Sequence, residues 1–402
     1  MRHIKIFLLL FLLTCTNNEQ IVPNPPNVKV VFTGIRTASA TDAQINFINN
    51  HFDYVMTSLL SQDVRKKITK PKLFLYRSIQ STWENFSQFD WAYIDKHENM
   101  FCHNNGKRII TVYSSYLMNG GDLVDSISGD ALNHWINYYA FNASEQVYKY
   151  DYDGLFIDEA SHKLSSGVVY GIMPTDEYPD SMDSKWRDDR YKALKFIKSY
   201  FLDKTVVFNG LHSDNGAEQS LSYTDGGMWE TFAFNVSTGE YYGKKKWQEV
   251  IELAQRNREN KFICIVSKKE HLTEEIDTRM FILSSYLLVS NKNVVLYMSD
   301  LTLGTDAILY YPEYMVDLGK PLDNYTQEEG LYKRMFEKGL VLVNPDDEKS
   351  IAYSLSKEYN QVIPNKGGLV KEDGSWEGYL SYQKVIGKMP LSPMSGVILI
   401  IK

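Results

Sequence analysis

Two short stretches of this chain end in acids. "YDGLFIDEA", from Tyr152 to Ala160, climbs through Leu155, Phe156 and Ile157 and stops at Asp158 and Glu159. "GGMWETF", from Gly226, repeats the design and stops at Glu230. Side chains alternate along a strand, so only one acid of the first pair shares a face with Gly154 and Phe156. That acid is Asp158, because Gly154 on the same face suits a crowded interior; Glu159 then faces the other way or opens the loop. If the two stretches are the fourth and sixth strands of one parallel sheet, their backbones lie about 9–10 Å apart. Two inward carboxyl groups then approach to between about 5 and 9 Å. Such a pair can do acid–base work, one carboxyl protonating a leaving oxygen while the other, ionised, attacks or stabilises the carbon. The range covers both geometries that cleave glycosidic bonds, about 5–5.5 Å for retention and about 6.5–9.5 Å for inversion. The plainer alternative for Asp158 is a helix cap or an ion pair.

Other chemistries fit less well. There is no H-E-x-x-H, the eight His are scattered, and no G-x-S-x-G elbow or P-loop occurs. No metal site and no cofactor are therefore expected. His162 and His212 follow the fourth and fifth strands, where either could line the mouth; a surface position is the plainer reading. A net charge of −7 without a long basic run argues against a nucleic-acid partner. The 28 Tyr and seven Trp supply aromatic faces that either stack on sugar rings or fill a core.

Eight apolar runs can carry these groups: "VKVVFTGI", "FDYVMTS", "PKLFLYR", "YDGLFIDE", "TVVFNG", "GGMWETF", "KFICIVS" and "NVVLYMS". Near-continuous apolar runs suit strands buried on both faces of a parallel sheet. Helical patterns alternate with most of them. Thr41 caps the first, and "SKWRDDRYKALKFIKSYF" spaces Leu194, Ile197 and Phe201 by three and four. Only a short helix fits between strands five and six. The pattern predicts an α/β fold, a (β/α)8 TIM barrel over residues 28–325, with an open doubly wound sheet as runner-up. Functional groups then gather at the C-terminal strand ends. Those ends carry Tyr76 and Arg77, Asp158, Asn209, Glu230, Lys268 and Asp300. The long third-to-fourth connection holds "STWENFSQFDW" and a candidate hairpin, "RIITVYSSYL", and should build the mouth. Arg77, Tyr76, Asn209 and Asp300 are candidate sugar contacts, and Trp83 or Trp229 a stacking platform. Core packing is the plainer reading of each Trp.

Past Tyr325 the texture becomes purely strand-like. "KGLVLVNPDDEKSIAYSLS" reads as strand, turn and strand, and "SWEGYLSYQ" and "SGVILIIK" add more. Residues 326–402 are read as a small C-terminal antiparallel β domain of sandwich-like kind. At the other end, Arg2, His3 and Lys5 precede "IFLLLFLL", too short to span a bilayer. Residues 1–15 read as a signal peptide ending in "LLTC", with Cys15 as the lipidated residue of a lipobox-like motif, and 16–27 as a polar, proline-rich tether. The expected location is outside the cytoplasm, held to a bacterial membrane only through that lipid. Cys264 reads as a buried apolar residue, and no disulfide framework is expected.

Together "YDGLFIDEA", "VVFNGL", "GGMWETF" and "FEKGLVLVNPDD…SGVILI" resemble the glycoside hydrolase-like family 15, related to the endo-α-1,4-polygalactosaminidase group. The resemblance covers the chain from about Val28 through the C-terminal strands. It implies a (β/α)8 glycosidase with an Asp after strand four and a Glu after strand six, here Asp158 and Glu230. Family members often have Asn after that Asp; this chain has Glu159, which leaves either acid of the pair as a candidate. The expectation is an exported glycoside hydrolase acting on a polysaccharide or oligosaccharide. Asp158 would serve as nucleophile or stabiliser, and Glu230 as general acid/base with a raised pKa. A non-catalytic glycan-binding surface lipoprotein and a structural surface protein are the alternatives; convergence of the two carboxyl groups separates the enzyme from both.

Overall fold

A computed structural model describes residues 27–34, 39–84, 89–125, 129–163, 175–179, 183–211 and 215–401. Cys15, the apolar leader and His212 lie outside the described residues. The eight expected strands are all present: β1 Val31–Phe32, β2 Tyr54–Thr57, β3 Lys72–Ser78, β4 Gly154–Asp158, β5 Thr205–Asn209, β6 Gly226–Trp229, β7 Phe262–Lys269 and β8 Val294–Asp300. They pair in parallel in that order. A parallel bridge between Val30 and Leu296 brings the first strand back to the last, so the sheet is nearly closed as a barrel. Among the described residues a helix follows each of strands β1 to β7 in turn, α1 Asp42–His51, α2 Gln62–Lys67, α3 Trp135–Lys149, α4 Asp183–Ser199, α5 Asn215–Ser222, α6 Lys244–Asn257 and α7 Ile276–Val289, and one further short helix, Trp91–Ile94, lies in the β3–β4 connection. Thr41 caps α1 with a reciprocal capping box to Gln44.

The barrel interior is packed. Tyr54, Phe74 and Phe262 meet on its floor, ring centroids 5.0–6.0 Å apart. Gly154 and Gly226 make room for them. A Cβ on Gly154 would lie 2.2 Å from the Thr205 carbonyl oxygen and 2.5 Å from the Phe74 ring. One on Gly226 would lie 2.3 Å from the Phe262 carbonyl oxygen. Cys102 and Cys264 are buried free thiols.

Helix α7 is apolar all round, and every residue from Arg279 to Val289 is buried. An amphipathic helix would leave one face wet; this one is covered on both sides. Its far side meets an antiparallel sheet of six strands, in the order Thr326–Glu328, Leu331–Phe336, Gly339–Asn344, Ser395–Ile400, Tyr359–Lys366 and Gly378–Val385. Gly396 allows the close approach, since a Cβ there would meet Ser284 at 2.5 Å. Arg279 reaches from α7 to Glu313 (2.9 Å) and to the Lys366 carbonyl (3.0 Å), tying barrel to sheet. The expected strand–turn–strand after Lys338 is present as Gly339–Asn344 and Ile351–Ser354, and the two strands lie in different sheets. Gly339–Asn344 lies between two strands of the large sheet, whereas Ile351–Ser354 pairs with Lys388–Leu391 in a separate ribbon. Leu340, Leu342, Leu391 and Leu399 fill the space between ribbon and sheet.

Candidate active site

The C-terminal ends of the barrel strands surround a well lined by Tyr76, Asp158, Asn209, Glu230, Lys268 and Ser299, with Phe156, Met228 and Val266 below. Strand alternation selects these side chains. Phe156 and Asp158 on β4, Met228 and Glu230 on and just after β6, and Val266 and Lys268 on β7 point inward in steps of two.

The carboxyl groups of Asp158 and Glu230 converge on one amide. Asn209 Nδ2 donates to Asp158 Oδ1 at 2.7 Å and to Glu230 Oε2 at 2.7 Å. Two oxygens held this way are at most about 5.4 Å apart, and about 4.7 Å across the 120° fork of an NH₂ group. Asp158 takes two further donors: the Tyr76 hydroxyl to Oδ2 at 2.5 Å and the Glu159 amide to Oδ1 at 2.8 Å. Lys268 Nζ contacts Glu230 Oε1 at 2.5 Å. The Glu230 side chain is still 40% exposed, so solvent reaches it.

Charge is unevenly shared. Burial, and then the charge of Glu230, raise the Asp158 carboxyl above its usual range, against the pull of its three donors. Burial also pushes Glu230 up, but the Lys268 ammonium and the Asn209 amide outweigh it and hold Glu230 below the usual range. This corrects the expectation of a raised Glu230, which left Lys268 out. Burial and Asp158 push Glu159 up to about 7. Glu159 opens the loop with φ 56°, and its carboxyl turns back to Ser78 Oγ (2.5 Å) and Ser81 Oγ (2.7 Å).

Tyr76, Asp158, Asn209 and Glu230 thus meet in one well. Four other candidates do not join them. Arg77 follows Tyr76 and so takes the opposite face; it is fully buried, donates to the Tyr76 carbonyl at 2.7 Å and lies over Phe89. Trp229, next to Met228, is turned outward for the same reason, 3% exposed with Lys246 over its ring. Asp300 braces loops: its carboxyl accepts from the amides of His271, Thr273 and Thr302 and from the Thr302 hydroxyl. Trp83 stands on the β3–β4 insertion, its indole donating to the Tyr113 carbonyl at 3.0 Å. His162 is buried beside Gly216 rather than on the surface. Lys268 was legible only as one member of a polar ring; its pairing with Glu230 joins residues 38 apart and leaves no local signature. A wider groove of about 690 Å³ between α7 and the C-terminal strands is lined by a single carboxyl residue, Asp277, and so offers no acid–base pair.

A parallel barrel with polar side chains gathered at its C-terminal mouth belongs to the class of (β/α)8 barrel enzymes. Within that class the chain belongs to the hypothetical glycosyl hydrolase family 15, whose model matches residues 76–340, and this places it among the glycoside hydrolases. Among solved structures, Eubacterium rectale Amy13B is similar over 94% of this chain and 96% of its own, at 8% identity and a TM-score of 0.50. The glycoside hydrolase domain of PelA from Pseudomonas aeruginosa is 12% identical, over 70% of this chain and 97% of its own, with a TM-score of 0.44. Alpha-galactosidase I from Mortierella vinacea is 9% identical, over 96% and 98%, with a TM-score of 0.44. At these identities the likeness is one of fold. No curated protein sequence matches the chain.

Proposed function

We propose that this protein hydrolyses glycosidic bonds of a polysaccharide or oligosaccharide with Asp158 and Glu230, and does so with retention of anomeric configuration. The observation that carries the reading is the Asn209 amide shared between the two carboxyl groups, which holds them near the separation of about 5–5.5 Å that retention uses and short of the about 6.5–9.5 Å that inversion uses. Asp158, fixed by three donors at the strand end, is the attacking group. Glu230, open to solvent, is the acid that protonates the leaving oxygen and then the base that activates water.

Lys268 sets which carboxyl group is the more readily protonated: on Glu230 it favours the charged form there and leaves Asp158 the weaker acid of the pair. When the leaving oxygen of a bound sugar takes the place of Lys268 at Oε1, burial favours a protonated Glu230, and Asp158 ionises among its donors. The departing group leaves with the Glu230 proton as Asp158 bonds to the anomeric carbon; water, deprotonated by Glu230, then releases the sugar. The proposal includes export and anchoring through Cys15, supported by the basic start and the short apolar run.

The test is a hydrolysis screen over a polysaccharide panel with wild type, Asp158→Asn and Glu230→Gln. Wild-type cleavage with a loss of about 10³-fold or more in each variant supports the assignment. Near-wild-type hydrolysis by either variant removes that residue from the chemistry. Glycan binding without cleavage by wild type transfers the site to a binding protein.

A further inference from the structure

The chain leaves β4 through a strained step. Glu159, the first residue after Asp158, has φ 56°. The left-handed region penalises a residue that carries a Cβ, and Gly, Asn or Asp normally fills it. The backbone is tied on both sides of the step. The Ile79 amide donates to the Asp158 carbonyl at 3.2 Å, and the Ala160 amide to the Asn209 carbonyl at 2.9 Å. Gly210, at φ 137°, lets the chain pass, since a Cβ there would meet Ser161 N at 2.8 Å. None of these ties calls for a Glu. Its side chain supplies the reason. Oε2 accepts from the Ser78 hydroxyl at 2.5 Å and from the Ser81 hydroxyl at 2.7 Å, and the Ser81 amide in turn donates to Ser78 Oγ at 3.1 Å. Ser78 ends β3 directly beside Asp158 in the sheet, and both serines are buried. The Glu159 carboxyl group therefore reaches sideways and is anchored on the neighbouring strand end.

The step has a consequence in the well. It turns the Glu159 amide onto Asp158 Oδ1 at 2.8 Å. We propose that Glu159 is the positioning residue of the attacking carboxyl group: anchored by the Ser78 and Ser81 hydroxyls, it holds the left-handed step that puts its own amide on Asp158. Strained backbone persists where its surroundings over-determine it, and here the two hydroxyls do so. Asn209 shares Oδ1 with this amide and Tyr76 takes Oδ2, so the three donors fix the plane of the Asp158 carboxyl group. A misplacement of about 1 Å can cost an attacking group about 10²-fold in rate. Glu159 touches no reacting atom and acts through Asp158; the second acid of the pair serves the first. The assignment rests on Asp158 as the attacking group of a glycosidase.

The test compares Glu159→Gln with Glu159→Ala. Gln keeps an oxygen that can accept from both serines, and Ala keeps none. Both remove the carboxyl charge, so a difference between them reports the anchor and not the charge. The double variant Ser78→Ala/Ser81→Ala removes the anchor from its other end and keeps Glu159. Circular dichroism and thermal melting check folding; if Glu159→Ala does not fold, the double variant against wild type decides. The first readout is a ¹³C titration of the Asp158 carboxyl without substrate. The Glu159 amide lowers that carboxyl in the wild type. Asp158 should therefore titrate about one pH unit higher in Glu159→Ala than in Glu159→Gln, and higher in the double variant than in wild type. The second readout is kcat/KM on the polysaccharide that the screen selects, expected about tenfold or more lower in Glu159→Ala than in Glu159→Gln. Equal Asp158 titration within these pairs overturns the positioning role, whatever the activity. A titration difference with no polysaccharide cleaved by wild type keeps the anchored step and removes the hydrolase reading. Cleavage that Asp158→Asn abolishes, with equal titration, keeps the hydrolase and removes Glu159.

Discussion

Replacing Asn209 with Ala removes one side chain and two hydrogen bonds to the carboxyl pair, each 2.7 Å long in the wild type. A hydrogen bond to a charged group is worth about 1.5–3 kcal/mol. The two bonds do not act alike during the reaction. Asp158 loses negative charge as it attacks, so its bond weakens; Glu230 gains charge as it gives up its proton, so its bond strengthens. The loss in kcat/KM is therefore set by about one such bond, roughly 10- to 150-fold. The variant also changes the pH profile. The Asn209 amide lowers both carboxyl groups in the wild type. Without it both rise, and Asp158, which must be ionised to attack, becomes active only at higher pH. Both limbs of kcat/KM, which report the carboxyl pair of the free enzyme, therefore move to higher pH. The assay is kcat/KM against pH on the polysaccharide that the screen selects. A variant with kcat/KM within twofold of wild type and both limbs unmoved would refute the clamp.

Two further outcomes follow from the same structure and a third from the sequence. Lys268→Met leaves the burial of Glu230 unopposed by an ammonium, so its carboxyl should rise. A ¹³C titration of the Glu230 carboxyl reads this directly, and an unchanged or lowered value contradicts the proton placement. Gly154→Ala should destabilise the barrel by about 1–3 kcal/mol or more, since the new Cβ meets the Thr205 carbonyl at 2.2 Å; urea unfolding of both proteins measures it, and equal midpoints refute the crowding argument. Cys15→Ala should move the protein from the membrane to the soluble fraction, and equal partition of variant and wild type ends the anchor proposal.

The barrel was legible because its strands are buried on both faces and read as unbroken apolar runs, from "PKLFLYR" to "NVVLYMS". The choice of Asp158 over Glu159 followed from alternation, and the same rule, applied one residue further, separates Tyr76 from Arg77 and Glu230 from Trp229. Polarity at a strand end favoured Arg77, and aromatic character favoured Trp229; the pleat turns both away from the well. Asp300 shows a different limit: an acid at the end of β8 is equally suited to capping the turn that follows, and only the positions of Thr273 and Thr302 decide. Lys268 depends on a contact between distant segments, which no local pattern records. Which of the C-terminal strands pair was not legible either, for a similar reason. Gly339–Asn344 is adjacent in sequence to Ile351–Ser354, but its apolar side chains are better covered between Leu331–Phe336 and Ser395–Ile400.

The central claim is that Asp158 and Glu230, held by Asn209, work at the separation that retention uses. Proton NMR of the anomeric signal during the first minutes of hydrolysis, before mutarotation, tests it on the polysaccharide that the screen selects. The expected first product carries the anomeric configuration of the bond that was cut. A first product of opposite configuration would require a water between the carboxyl groups and would contradict the geometry.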